Sequence, residues 1–166
     1  MAEELILARS HWQAMRRHVS RCLPQEACGL LAGKNERVEM TIGIPNAERS
    51  PVRFRLEPVA QWHAFLRIEA AGLELLGIYH SHPNGPEHPS PTDIAEALYP
   101  VVQVICFRVD GRWRRRGFQI EGGKVVEISL EVQAPSIYTR KGLHHQGHKA
   151  TQRKNQEELS SPSRPL

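Results

Sequence analysis

Two histidines one residue apart, His80-Ser81-His82, close an apolar run that begins at Leu75, and Ser90-Pro91-Thr92-Asp93 follows after a short loop. Residues 75–80 form an apolar strand, so the histidines sit where a buried strand emerges. Side chains alternate faces along a strand, which points residues 80 and 82 to the same side. Two imidazoles so placed can grip one ion. Asp93, eleven residues after His82, supplies a third and harder ligand. Two nitrogens and one carboxylate oxygen leave the fourth tetrahedral position to water, the arrangement of a catalytic zinc rather than a structural one. In α/β sheets, binding crevices lie at such strand ends.

Each of these residues also has a plainer reading. Ser90-Pro91-Thr92-Asp93 is a good helix start, with Ser90 as N-cap, Pro91 at the first position and Asp93 closing a capping box. Ser90 can cap, orient a ligand, or donate to a developing oxyanion. His88 is a rival third ligand. A hydrolytic zinc needs a group that takes a proton from water and returns it to the leaving amine. Glu26, in Pro24-Gln25-Glu26-Ala27-Cys28-Gly29, is a candidate, but spacing alone leaves Glu57 and Glu87 available. His144, His145 and His148 read as a hydrated tract rather than a catalytic centre.

Around this motif the chain alternates strand and helix signals. Strands are expected at 5–8, 27–32, 38–44, 52–56, 75–80, 101–109, 112–120 and 125–132. A helix over 11–22, N-capped by Ser10 and stopped by Pro24, carries a stripe of Trp12, Met15 and Val19. A second helix begins at Pro58 and ends near Gly72, with Trp62 and Phe65 expected in the core. A third covers 92–98. Asp110-Gly111 predicts a two-residue hairpin turn. The pattern assembles as a mixed, mainly antiparallel sheet of about six strands flanked by helices, an α+β or three-layer α/β/α domain.

The 166 residues suit one domain. Residues 1–133 hold 16 Lys and Arg against 16 Asp and Glu, whereas residues 134–166 hold 6 against 2. The positive excess therefore belongs to a basic tail with too few apolar residues to build a core, expected to be disordered. A neutral domain with a basic end argues against a nucleic-acid binder, despite an isoelectric point near 9.2. Arg112 and Arg114 to Arg116 read as a solvated face. Cys22, Cys28 and Cys106 match neither a disulfide framework nor a CxxC pair, so reduced, buried thiols are expected. The acidic start and the lack of a long apolar run predict a cytoplasmic protein without signal peptide or membrane span.

Glu26, His80-Ser81-His82-Pro83, then seven residues to Ser90 and Asp93 three further on resemble the JAMM (MPN-plus) metalloprotease signature without gap or substitution. Glu26-Ala27-Cys28-Gly29-Leu30-Leu31 and the His82-Pro83-Asn84-Gly85 loop resemble the compact prokaryotic type, over about residues 4–130. The resemblance implies a cytidine-deaminase-like α/β/α fold and one zinc per chain held by His80, His82 and Asp93. It implies that Glu26 is the acid/base and that Ser90 steadies the tetrahedral intermediate. It further implies hydrolysis of amide or isopeptide bonds after the C-terminal glycine of ubiquitin-like proteins, including sulfur carriers of the ThiS/MoaD type. The short 46–51 loop lacks the ubiquitin-contacting insertion of some eukaryotic relatives. Three other readings remain: a catalytically silent docking scaffold, another zinc hydrolase such as a deaminase, whose PCxxC ligand motif is missing here, and nucleic-acid association through the basic tail.

Overall fold

The computed structural model describes residues 2–135. Its elements are β1 (Glu4–Ala8), α1 (Arg9–Cys22), β2 (Cys28–Lys34), β3 (Arg37–Ile44), α2 (Pro58–Ala70), β4 (Glu74–His82), α3 (Pro91–Ala95), β5 (Val102–Val109), β6 (Arg112–Glu121) and β7 (Lys124–Gln133). The expected tail from residue 136 onward, with its three histidines, lies outside the described residues.

The mixed sheet is present, with seven strands among the described residues rather than about six. Antiparallel ladders join β3 to β2, β2 to β4, β5 to β6 and β6 to β7, and β4 runs parallel to β5. β1 closes the sheet on itself, parallel to β7 along its length and bridged to β3 through Ile6 and Arg37. At the tip of the β5–β6 hairpin, Asp110 and Gly111 both take positive φ (49° and 73°), as the predicted tight turn requires.

Helix α1 buries Trp12, Met15 and Val19, the stripe its periodicity predicts. They pack in one cluster with side chains drawn from all seven strands, among them Leu7, Leu31, Tyr79 and Val104. Ser10, however, is not the N-cap. β1 stays paired with β7 as far as Ala8, so the chain turns directly into the helix and Ala8 precedes it without a side-chain cap. On the other face of the sheet, α2 starts as expected at Pro58, with the Glu57 carboxylate accepting from the Val59 and Ala60 amides. Its buried line is Ala64 and Ile68, packed with Leu30, Ile42 and Ile78. Trp62 was expected in the core but is 61 % exposed. The small Ala64 marks the contact line, and this turns Val59, Trp62 and Leu66 toward solvent.

The expected strand at 52–56 does not form. Only Leu56 makes a bridge, to Asn46. The Arg53 carbonyl and the Arg55 amide bond instead to the Asn46 side chain, and the Arg55 carbonyl accepts from the Ala47 amide, which folds 46–56 into a closed loop. Helix α3 is also shorter than expected, ending at Ala95. No helix among the described residues is long and apolar enough to cross a membrane. Cys28 and Cys106 are buried and Cys22 is half-buried; all three are free thiols.

Candidate metal centre

Strand β4 outruns β2. The β2–β4 ladder stops at Cys28 and His80, whereas β4 continues alongside β5 until His82 meets Phe107. His80 and His82 therefore share one face at the point where the neighbouring strand has left, and Glu26 enters the vacated space from the residues preceding β2. All three are nearly sealed from solvent, at 1 %, 3 % and 3 % exposure.

Asp93 arrives from the first turn of α3. The capping box forms: Ser90 Oγ accepts from the Asp93 amide at 3.1 Å, and Asp93 Oδ2 accepts from the Ser90 amide at 2.7 Å. The same Oδ2 lies 3.2 Å from His82 Nε2 and 3.4 Å from His80 Nε2, and the two imidazole nitrogens are 3.1 Å apart. Capping and ligand placement, alternatives in the sequence, are thus one arrangement. Donors at about 2.0–2.1 Å from a tetrahedral zinc stand roughly 3.3 Å from one another, so the triangle has the size a small cation needs. His82 Nδ1 donates to the Pro86 carbonyl at 2.7 Å, which leaves its Nε2 as a lone pair aimed into the triangle. Lone pairs brought this close repel unless a proton or a cation lies among them. Such a donor set fits a divalent metal. Among the described residues it is also the cluster of His, Cys, Asp and Glu side chains able to hold one.

The electrostatics follow from burial and proximity. Burial opposes the charge on Asp93, but the two imidazoles beside it and the Ser90 amide outweigh it and hold the carboxyl well below the usual range. Burial lowers the pKa of His80. It also acts downward on His82, where the Asp93 carboxylate and the Pro86 carbonyl reverse it. Glu26 is pushed up to about 7, first by burial and then by the charge of Asp93, with His82 acting against the rise. Its Oε1 stands 3.9 Å from His82 Nε2, and its Oε2 is buried without a hydrogen-bond partner.

The rival residues are engaged elsewhere. Glu57 caps α2, Glu87 pairs with Arg116 at 2.9 Å, and His88 bonds only to the neighbouring Pro89 carbonyl. Arg116, expected on a solvated face, is held between Glu87 and Glu127. Sequence reasoning missed Phe54, which stacks on His80 with ring centroids 4.3 Å apart. It also missed Ser81, whose hydroxyl accepts from the Ala27 amide at 2.8 Å. Beside Asp93 opens a groove of about 490 Å³, lined by Leu56, Ile78, Ala95 and Tyr99 among others. The Arg53–Glu96 ion pair joins two of its lining residues.

The model of the family described as prokaryotic homologs of the JAB domain matches residues 8–118. The chain belongs to this family. One relative is a probable TtuB-protein conjugate cleaving protease of Thermus thermophilus, 43 % identical over 129 residues, covering 77 % of this chain and 82 % of the relative. Another is the CysO-cysteine peptidase of Mycobacterium tuberculosis, 37 % identical over 123 residues, covering 72 % and 84 %. The solution structure of DSY2949 from Desulfitobacterium hafniense superposes with a TM-score of 0.72 at 29 % identity, over 78 % of this chain and 93 % of that one.

Proposed function

We propose that this JAB-family chain is a zinc-dependent peptidase that hydrolyses the amide bond after the C-terminal glycine of a ubiquitin-like or ThiS/MoaD-type sulfur-carrier protein. The relatives named for cleaving TtuB conjugates and CysO-cysteine support that substrate class. The observation that carries the reading is Glu26: a buried carboxylate with one unpartnered oxygen, beside three converging donors. A docking scaffold has no use for such a group.

His80, His82 and Asp93 would hold the ion. Bound there, zinc supplies a water whose pKa falls toward about 7 and a Lewis acid for the scissile carbonyl. Glu26 takes the proton of the attacking water and returns it to the leaving nitrogen, a task suited to a buried carboxyl with one free oxygen. The Ser90 hydroxyl accepts from the Asp93 amide and keeps its own proton to donate to the oxyanion. Asp93 keeps its charge, and the Pro86 carbonyl holds the His82 tautomer. The apolar groove beside Asp93 receives the extended carrier tail. The activity belongs to residues 1–133 and operates in the cytoplasm, where the three thiols stay reduced.

The test uses a carrier extended by cysteine beyond its last glycine. Glu26→Gln should retain stoichiometric zinc and lose roughly a hundred- to ten-thousandfold in rate. Full activity in that variant would remove Glu26 from its role, and wild-type protein without zinc would overturn the metal centre.

A further inference from the structure

The backbone around Glu26 is held from three directions. Its amide donates to the Ser50 carbonyl at 2.8 Å, and its carbonyl accepts from Asn46 Nδ2 at 3.0 Å. The next residue, Ala27, exchanges two bonds with Ser81, donating to the hydroxyl at 2.8 Å and accepting from the Ser81 amide at 2.9 Å. In a regular antiparallel ladder the Ala27 amide would reach the Ser81 carbonyl. The hydroxyl intercepts it, and β2 leaves β4 at this point.

Asn46 makes four side-chain hydrogen bonds. Besides the Glu26 carbonyl, Nδ2 reaches the Arg53 carbonyl at 3.0 Å, while Oδ1 accepts from the Glu48 amide at 3.0 Å and the Arg55 amide at 3.1 Å. Two carbonyls on one side and two amides on the other leave only one sensible orientation of the amide group. The Glu26 carbonyl lies just before β2, whereas the other three partners lie in the loop. Closing the loop alone would not require a bond to Glu26. The next residue after Arg53 is Phe54, whose ring stacks on His80.

We propose that Asn46 is a positioning residue of the active site: through the Glu26 carbonyl it fixes the direction in which the Glu26 carboxylate enters the metal centre. The inference rests on the acid/base role given to Glu26 above. Asn46 touches neither substrate nor metal and acts through residue 26.

Asn46→Asp tests it, because the shape and both acceptor bonds remain while an oxygen replaces the nitrogen facing two carbonyls. With zinc-loaded protein in single turnover on the carrier–cysteine fusion, the catalytic rate should fall about 10- to 100-fold, the scale of a small misplacement of a reacting group. KM should stay within about threefold and zinc content should not change. Hydrogen exchange at the Glu26 and Ala27 amides should quicken while that of Val104 in β5 does not. In a Glu26→Gln background the same substitution should cost less than about twofold, since the group it positions is gone. An unchanged rate overturns the proposal, as does a loss that persists in full in the Glu26→Gln background. Should Asn46→Asp fail to fold, Asn46→Ala, which sets no carboxylate against the two carbonyls, carries the same comparison. Activity surviving in Glu26→Gln alone would instead refute the acid/base assignment, a separate outcome.

Discussion

Asp93 is asked to do two things with one oxygen, and substitution can separate them. Oδ2 accepts from the Ser90 amide at 2.7 Å and faces the two imidazoles at 3.2 and 3.4 Å. Asp93→Asn keeps an oxygen that can accept from the Ser90 amide but removes the negative charge from the ligand set. Asp93→Ala removes both, although Ser90 Oγ can still accept from the backbone amide of residue 93. Losing the side-chain half of the capping box costs about 1 kcal/mol. For a folded unit of this size that lowers Tm by roughly 4 °C. Metal-free Asp93→Ala should therefore melt about 4 °C below wild type, and metal-free Asp93→Asn within about 2 °C of it.

Zinc changes the comparison. Free metal at a thousand times its Kd adds about 4.1 kcal/mol to the wild type, or roughly 16 °C on the same conversion. A hundredfold loss of affinity leaves about 1.4 kcal/mol, near 6 °C. Both variants should accordingly show most of the zinc-dependent rise abolished, while only Asp93→Ala melts early without metal. Differential scanning calorimetry with buffered zinc and after chelation measures all six values. If Asp93→Asn keeps the full rise, the carboxylate is a helix cap alone and the third ligand is wrongly assigned.

Two further expectations concern the scaffold. His18 Nδ1 bonds to the fully buried Tyr79 hydroxyl at 2.7 Å, and burial lowers its pKa. The unfolded chain thus binds a proton below about pH 6.5 that the folded chain refuses. The stability that wild type holds over His18→Gln should be fully present above that pH and shrink as pH falls toward 5; urea titrations giving a pH-independent difference would refute this. Trp62→Ala should change stability by no more than about 0.5 kcal/mol, since the ring is 61 % exposed; a loss of several kcal/mol in urea unfolding would return it to the core.

What was legible in the sequence tracks how locally each feature is determined. The Trp12, Met15 and Val19 stripe, the Pro58 start of α2 and the Asp110-Gly111 turn depend on residues within about two helical turns or one hairpin, and they stand in the structure as expected. The convergence of His80, His82 and Asp93 follows from strand alternation and a helix start, whereas preferring Asp93 to His88 as third ligand rested on the resemblance to the JAMM signature. Trp62 was misassigned because helical spacing identifies a stripe but not which side of it meets the sheet, a choice made by the close approach at Ala64. Closure of the sheet by β1 was not legible either: its five residues pair with β7, more than 120 positions away in the chain.

The segment 52–56 shows the limit most sharply. Its alternation of Val52, Phe54 and Leu56 reads as a strand, and by propensity it is one. Polar side chains take backbone groups that a ladder would use: Asn46 bonds to both residues flanking Phe54, and Ser50 accepts from the Val52 amide. No periodicity reports a side chain that bonds to backbone seven and nine positions away. The bulge this creates places Phe54 against His80 and ties the groove wall to the backbone of Glu26. At that position local preference and tertiary demand conflict, and such conflicts concentrate at working sites, where geometry serves chemistry ahead of regularity.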